Sequence, residues 1–176
     1  MHSTPTNFLS DFYIQICIKK LTFFLDPNRR LKIPIRVLAT SHIFTELQDM
    51  HDEKLTDQHL RGNWFSVFSA HRIYTQYLVL GGHRTGMLTR DDLLKYRNAS
   101  FTPLFIQRVF ETTQTYNGEM DFMGYIEFVL SMENPTLPAS IKYCFRAFDV
   151  NGEGWINEYV IELFVNVICL FDAGGC

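Results

Sequence analysis

From residue 64 onward the apolar and polar positions recur in one pattern. An apolar stretch at helical spacing leads into a segment with a central glycine, then a lone apolar residue, then a second apolar stretch. The first copy runs through Phe65, Ile73, Tyr74, Tyr77, Leu78 and Leu80, crosses 81–92 and resumes at Leu93, Leu94 and Tyr96. The second opens on Thr102, a good helix N-cap, with Pro103 suited to the first helical position. Its Phe105, Ile106, Val109 and Phe110 share a face; it crosses 113–124 and continues along Phe122, Tyr125, Ile126, Val129 and Leu130. The third comes in on Ile141, Cys144, Phe145 and Phe148, crosses 149–160 and leaves along Tyr159–Leu170. Segments starting at 81, 113 and 149 lie 32 and 36 residues apart.

The chain before the repeats is less regular. Phe8–Leu25 is rich in Phe, Ile and Leu but broken by Asp11, Gln15, Lys19 and Lys20. It lacks the roughly 20 unbroken apolar residues of a spanning helix and the flanks of a signal peptide. It reads as a buried helix or strand, with a partner-docking face as the sharper alternative. Asp26-Pro27-Asn28 is a turn, followed by Arg29, Arg30 and Lys32, read as solvated surface. Ile33-Pro34-Ile35 is an extended step into Val37–Met50, where near-helical spacing is interrupted at Ser41. Residues 49–59 are polar and read as a linker or an exposed helix. His51 and His59 near Asp52, Glu53 and Asp57 have no fixed ligand spacing and read as surface.

A repeat of this size and pattern is an EF-hand-like helix–loop–helix unit. In such a loop, oxygens at positions 1, 3, 5, 7, 9 and 12 surround Ca²⁺ and a glycine at position 6 makes the turn. All three loops keep the glycine, as Gly86, Gly118 and Gly154, and an apolar residue at position 8, as Leu88, Met120 and Ile156. The ligands are degenerate. The first loop offers Gly81, His83 and Thr85, with Asp92 alone at position 12; the second offers Thr113, Thr115, Asn117 and Gly124, with Asp121 alone at position 9. So little negative charge cannot offset the dehydration of a divalent cation, and both are expected to be metal-free turns. The third places Asp149, Asn151, Glu153, the Trp155 carbonyl and Asn157 at positions 1 to 9, but Val160 stands where the bidentate carboxylate belongs. Calcium is expected there weakly, at about 10⁻⁴–10⁻³ M or not at all. The fold class expected is all-α, with EF-hand-like repeats, degenerate calcium loops and at most short β-bridges at Leu88, Met120 and Ile156.

Composition narrows the function. Apolar residues make up 47% of the 176, enough for a real core, and a net charge of −3 argues against a nucleic-acid binder. No charge run suits a membrane arm. Cys17, Cys144, Cys169 and Cys176 form no CxxC pair and read as reduced thiols of a cytoplasmic protein. An enzyme is not expected: GxSxG and HExxH are absent. The glycines at 81, 82 and 86 have P-loop spacing, but Met87-Leu88 stands where Lys and Ser/Thr are required.

Eight short stretches, in order, carry a family resemblance. They are Lys32-Ile33-Pro34-Ile35, Asn63-Trp64-Phe65-Ser66, Tyr74-Thr75-Gln76-Tyr77-Leu78, Gly86-Met87-Leu88, residues 105–110, Gly118-Glu119-Met120-Asp121-Phe122, residues 127–134 and Asp149-Val150-Asn151-Gly152. The succession, over about residues 31–165, resembles the EF-hand core of the B'' (B-double-prime) regulatory subunits of protein phosphatase 2A, in the gamma-type and plant FASS-type branch. The resemblance implies a non-catalytic subunit that binds the phosphatase scaffold and catalytic subunits and directs substrate choice or location, at microtubule-organising structures or centrosomes. The chain then divides into an unaligned apolar segment at 1–30, a helical lead-in and linker at 31–62, the EF-hand-like domain at 63–170 and a tail at 171–176. Trp64 and Phe65, at the start of the first hand, either staple the incoming chain to the core, the favoured fate of at least one, or serve as the partner-binding anchors toward which the resemblance points. The rival reading is a calcium sensor or adaptor unrelated to the phosphatase.

Overall fold

The structure, a computed structural model, describes residues 5–52 and 56–161. Its packing forms two compact units, Met1–Gln76 and Tyr77–Cys176. The division falls inside a helix. The cause lies in the first unit. The Tyr13 hydroxyl donates to the Phe65 carbonyl at 2.8 Å, and the Lys20 ammonium stands 4.8 Å from the Phe65 ring centroid. The segment around Phe65 therefore packs with the N-terminal helix.

In the first unit, α1 spans Pro5–Leu25. Ile16, Lys20 and Phe23 are buried along one stripe, while Ile14 and Ile18 are exposed. Lys20 is held by an ion pair with Glu46 of α3 (His42–Asp49). No helix among the described residues is long and apolar enough to cross a membrane. The apolar run after Pro34 forms two helices, α2 (Ile35–Ala39) and α3. Ser41 separates them because its hydroxyl accepts the Phe44 N–H at 3.2 Å and so caps α3. The polar stretch contains α4 (Asp57–Gly62), capped by Thr56, and α5 follows over Val67–Tyr77.

In the second unit, the chain leaves α5 through a π-helical turn at Leu78–Gly82, kinked at Gly81, and the short helix α6 (His83–Thr85). Next come α7 (Arg90–Leu94), α8 (Pro103–Thr112), α9 (Phe122–Glu133) and α10 (Pro138–Phe148). Thr102 caps α8 and Pro103 occupies its first turn, as the sequence predicts. Helix α9 is the centre: Tyr125, Phe128, Val129 and Leu130 are all fully buried, and α10 packs against both α8 and α9. Tyr96 and Phe101 meet Phe128 edge-on at 5.2 and 5.6 Å.

The expected all-helical class is what the structure shows. Among the described residues there is no strand, only the isolated bridges Leu88–Met120 and Tyr116–Glu119. Ile156, the third expected bridge position, makes none among the described residues. A helical turn starts at 158–161; the remainder of the expected helix Tyr159–Leu170, with Cys169 and Cys176, lies outside the described residues.

Candidate functional site

The three loops share one local device, a helix cap. At position 9 of each, a side-chain oxygen accepts the backbone N–H of position 12 and starts the outgoing helix. Thr89 Oγ1 accepts from Asp92 N at 3.2 Å, Asp121 Oδ1 from Gly124 N at 2.8 Å, and Asn157 Oδ1 from Val160 N at 2.9 Å. Each is an N-cap worth about 1 kcal/mol. At position 9 the side-chain oxygen thus holds a helix end in each loop.

The first loop is shorter than the sequence predicts. Gly81, His83 and Thr85 lie in the π turn and α6, and the helical path continues until Gly86 at φ +75 ends it. His83 Nδ1 contacts the Leu78 carbonyl at 2.7 Å, and the Tyr77 hydroxyl donates to the Gly86 carbonyl at 2.5 Å. These bonds make a capped helix end from residues read as a loop. Asp92, the one acid at a ligand position, is 2% exposed and already satisfied. One guanidinium nitrogen of Arg84 reaches both of its oxygens, Thr89 closes a capping box, and the Lys95 ammonium lies at 3.2 Å. Burial alone would raise the Asp92 carboxyl; the hydrogen bonds from Arg84, Thr89 and Lys95 outweigh it and hold it well below the usual carboxylate range. Arg84, which the motif reading passed over, is the cation of this loop. The signal available in the sequence was a lone acid at position 12 with an arginine eight residues before it.

The second loop is built by its turn. Asn117 and Gly118 both have positive φ, +55 and +81, and Tyr116 and Glu119 exchange two backbone hydrogen bonds of 2.8 and 3.0 Å. That is a two-residue hairpin of the Asn-Gly kind. It delivers Met120 to Leu88, and the two pair through a pair of 2.8 Å bonds. Gly124 fills position 12, where an added Cβ would stand 2.9 Å from Met120 Cγ.

The third loop retains most of a calcium loop's shape. Asp149 Oδ1 accepts the Glu153 N–H at 2.9 Å and Oδ2 the Gly154 N–H at 2.8 Å. Arg108, reaching from α8, donates to the carbonyls of Ala147 and Asp149 and pins the loop's start. Asn151, Glu153 and Trp155 are exposed, so the expected ligand residues are brought to one loop open to water. The donor set does not close around an ion. Val160 at position 12 is buried at 6% exposure, and its side chain has no oxygen to offer. No group of three or more His, Cys, Asp or Glu side chains suited to a metal occurs among the described residues.

The expected docking anchors are interior. Phe65 is fully buried and Trp64 is 7% exposed, with Arg72 5.9 Å from its ring. Both rings fasten the incoming segment, so neither forms an open patch. The exposed side chains beside them are Val67 and Phe68, at 71% and 51%. His59, the other candidate ligand of this region, has Nδ1 2.7 Å from the Thr56 hydroxyl on an exposed surface.

Comparison with known proteins agrees with the fold. No family model matches the chain. The human gamma member of the B'' regulatory subunits of serine/threonine-protein phosphatase 2A is 38% identical over 157 residues, which is 89% of this chain and 35% of the relative. The probable B'' regulatory subunit TON2 of Arabidopsis thaliana is 34% identical, over 94% of this chain and 37% of that protein. A chain of a solved PP2A PR70 holoenzyme, described as diCa, matches at a TM-score of 0.75 and 25% identity, over 95% of this chain and 62% of that one. This chain spans about a third of the length of the curated relatives it matches. With that likeness held over nine-tenths of its own residues, the chain is a homologue of the B'' regulatory subunits of protein phosphatase 2A and belongs to that family.

Proposed function

We propose that the chain acts as a non-catalytic regulatory subunit of protein phosphatase 2A, binding the scaffold and catalytic subunits and directing substrate choice or location. The likeness to the B'' family over 89% of the chain carries this reading. The loops are organised for packing and capping, and the buried Asp92 carboxylate is paired with Arg84. A cytoplasmic place at microtubule-organising structures belongs to the same proposal. The test is a pull-down of purified scaffold and scaffold–catalytic dimer with the chain. Retention of the dimer supports the reading; failure to retain either of the two overturns it.

A calcium role is confined to the third loop, because Asp149 keeps the backbone contacts of a position-1 ligand. A calcium titration by calorimetry distinguishes weak binding there from sensor behaviour: saturation at micromolar calcium would favour the sensor reading.

A further inference from the structure

We infer that residues 30–37 form a docking strip for an acidic groove with an apolar floor on a partner protein. The inference rests on the regulatory-subunit reading and names the surface it would use.

The strip is apolar where packing gives no reason for it. Leu31 is 88% exposed, Ile35 84% and Val37 43%. Leu31 is also held at φ +58, a conformation that costs a branched residue about 1–2 kcal/mol. Asp26 fixes that turn: it is buried, and its Oδ2 accepts the Leu31 N–H at 2.7 Å. The chain thus holds a side chain that is 88% exposed in a conformation that itself costs energy.

The charge around it has one sign. Arg30, Lys32 and Arg36 are exposed, and no Asp or Glu occurs between residues 27 and 45, in a chain whose net charge is −3. The flanking acids are both committed, Asp26 to Leu31 and Glu46 to Lys20. A surface that alternates cations with exposed aliphatic side chains is complementary to an acidic rim around an apolar floor.

The backbone favours a protein over a lipid surface. Pro34 sits at φ −60, ψ 133, an extended conformation, and the N–H groups of Lys32 and Ile33 make no hydrogen bond among the described residues. A protein groove offers backbone acceptors to such a segment. The acyl region of a bilayer offers none, and α2 has five residues, too few for an amphipathic membrane helix.

Two variants of the whole chain test this against immobilised scaffold–catalytic dimer of protein phosphatase 2A: R30E/K32E/R36E and L31S/I35S. All five side chains are exposed, so melting temperatures should stay close to that of the wild type. Each variant should bind about tenfold or more weakly than wild type, and the charge variant should lose most of the salt dependence. Wild-type binding with both variants within twofold of it removes the strip while leaving the regulatory-subunit reading intact. No wild-type binding removes both. Cosedimentation of wild type, but not of R30E/K32E/R36E, with phosphatidylserine vesicles, alongside unchanged dimer binding, would make the strip a lipid site and overturn the inference.

Discussion

One guanidinium nitrogen of Arg84 lies 2.7 and 2.6 Å from the two carboxylate oxygens of Asp92. A calcium ion makes the same demand of the acid at position 12 of an EF-hand loop, that both oxygens face one cation. In the first hand a cation is supplied by the chain itself, eight residues upstream.

Removing that cation should expose its role. Arg84→Ala leaves Asp92 buried with Thr89 and Lys95 as its remaining partners, at a cost of about 1–2 kcal/mol, since Arg84 is half exposed and partly screened. The Asp92 carboxyl titrates below its unfolded value, so the stabilisation is whole above the unfolded carboxylate range, near pH 4, and fades as pH falls below it. Thermal melts of wild type and Arg84→Ala should differ at pH 7, and the gap should narrow only at the acid end, as pH falls well below the unfolded carboxylate range toward the depressed folded value of Asp92. A gap that stays constant with pH would show that Arg84 acts by packing alone.

Gly81 makes the space for this pair. It sits at φ +155, and an added Cβ would stand 2.7 Å from Asp92 Cγ and 2.8 Å from the Arg84 guanidinium. Gly81→Ala should therefore destabilise by about 1–3 kcal/mol from backbone strain and displaced charge together. Gly86→Ala, at φ +75 with nothing within 4 Å, should cost only the strain, about 1–2 kcal/mol. Denaturant midpoints rank the two; equal losses would mean that the crowding at Gly81 is relieved by a shift of Arg84.

The helical class, the N-cap at Thr102 and the pairing of Leu88 with Met120 were all legible in the sequence, because each depends on local spacing or on one residue type at one position. The boundary between the units was not. It depends on Tyr13 and Lys20 meeting Phe65, partners 52 and 45 residues distant along the chain that no periodicity links. The first loop was misread for a different reason. Glycines at 81, 82 and 86 resemble a flexible turn in sequence, yet Tyr77, Leu78 and Gly82 supply the bonds that keep residues 83–85 helical. The cap at position 9 was not visible in the spacing, because an oxygen at that position suits a metal and a helix end alike.

Trp64 and Phe68 are four residues apart and should behave oppositely. Trp64 is 7% exposed, and truncation to alanine should cost about 3–5 kcal/mol. Phe68 is 51% exposed beside Arg61, and Phe68→Ala should change stability by about 0.5 kcal/mol or less. Urea titrations of the two variants decide it. A mild Trp64→Ala would return that ring to the surface and reopen it as a docking anchor.

Val160→Glu tests the third loop most directly. The position is buried, and its N–H is already held by Asn157, so the backbone is in place for a position-12 ligand. Without metal, the new carboxylate enters an apolar site and should cost about 1–3 kcal/mol. With calcium, it supplies the bidentate carboxylate that the loop lacks at position 12, beside Asp149, whose oxygens engaged with Glu153 and Gly154 each keep a lone pair for a cation. The variant should melt below wild type in chelator and recover in millimolar calcium, with a larger calcium-dependent shift than wild type shows. Equal melting with and without calcium would mean that the loop's shape has outlasted its capacity to gather oxygens around an ion, and that capping by Asn157 is the whole of its present role.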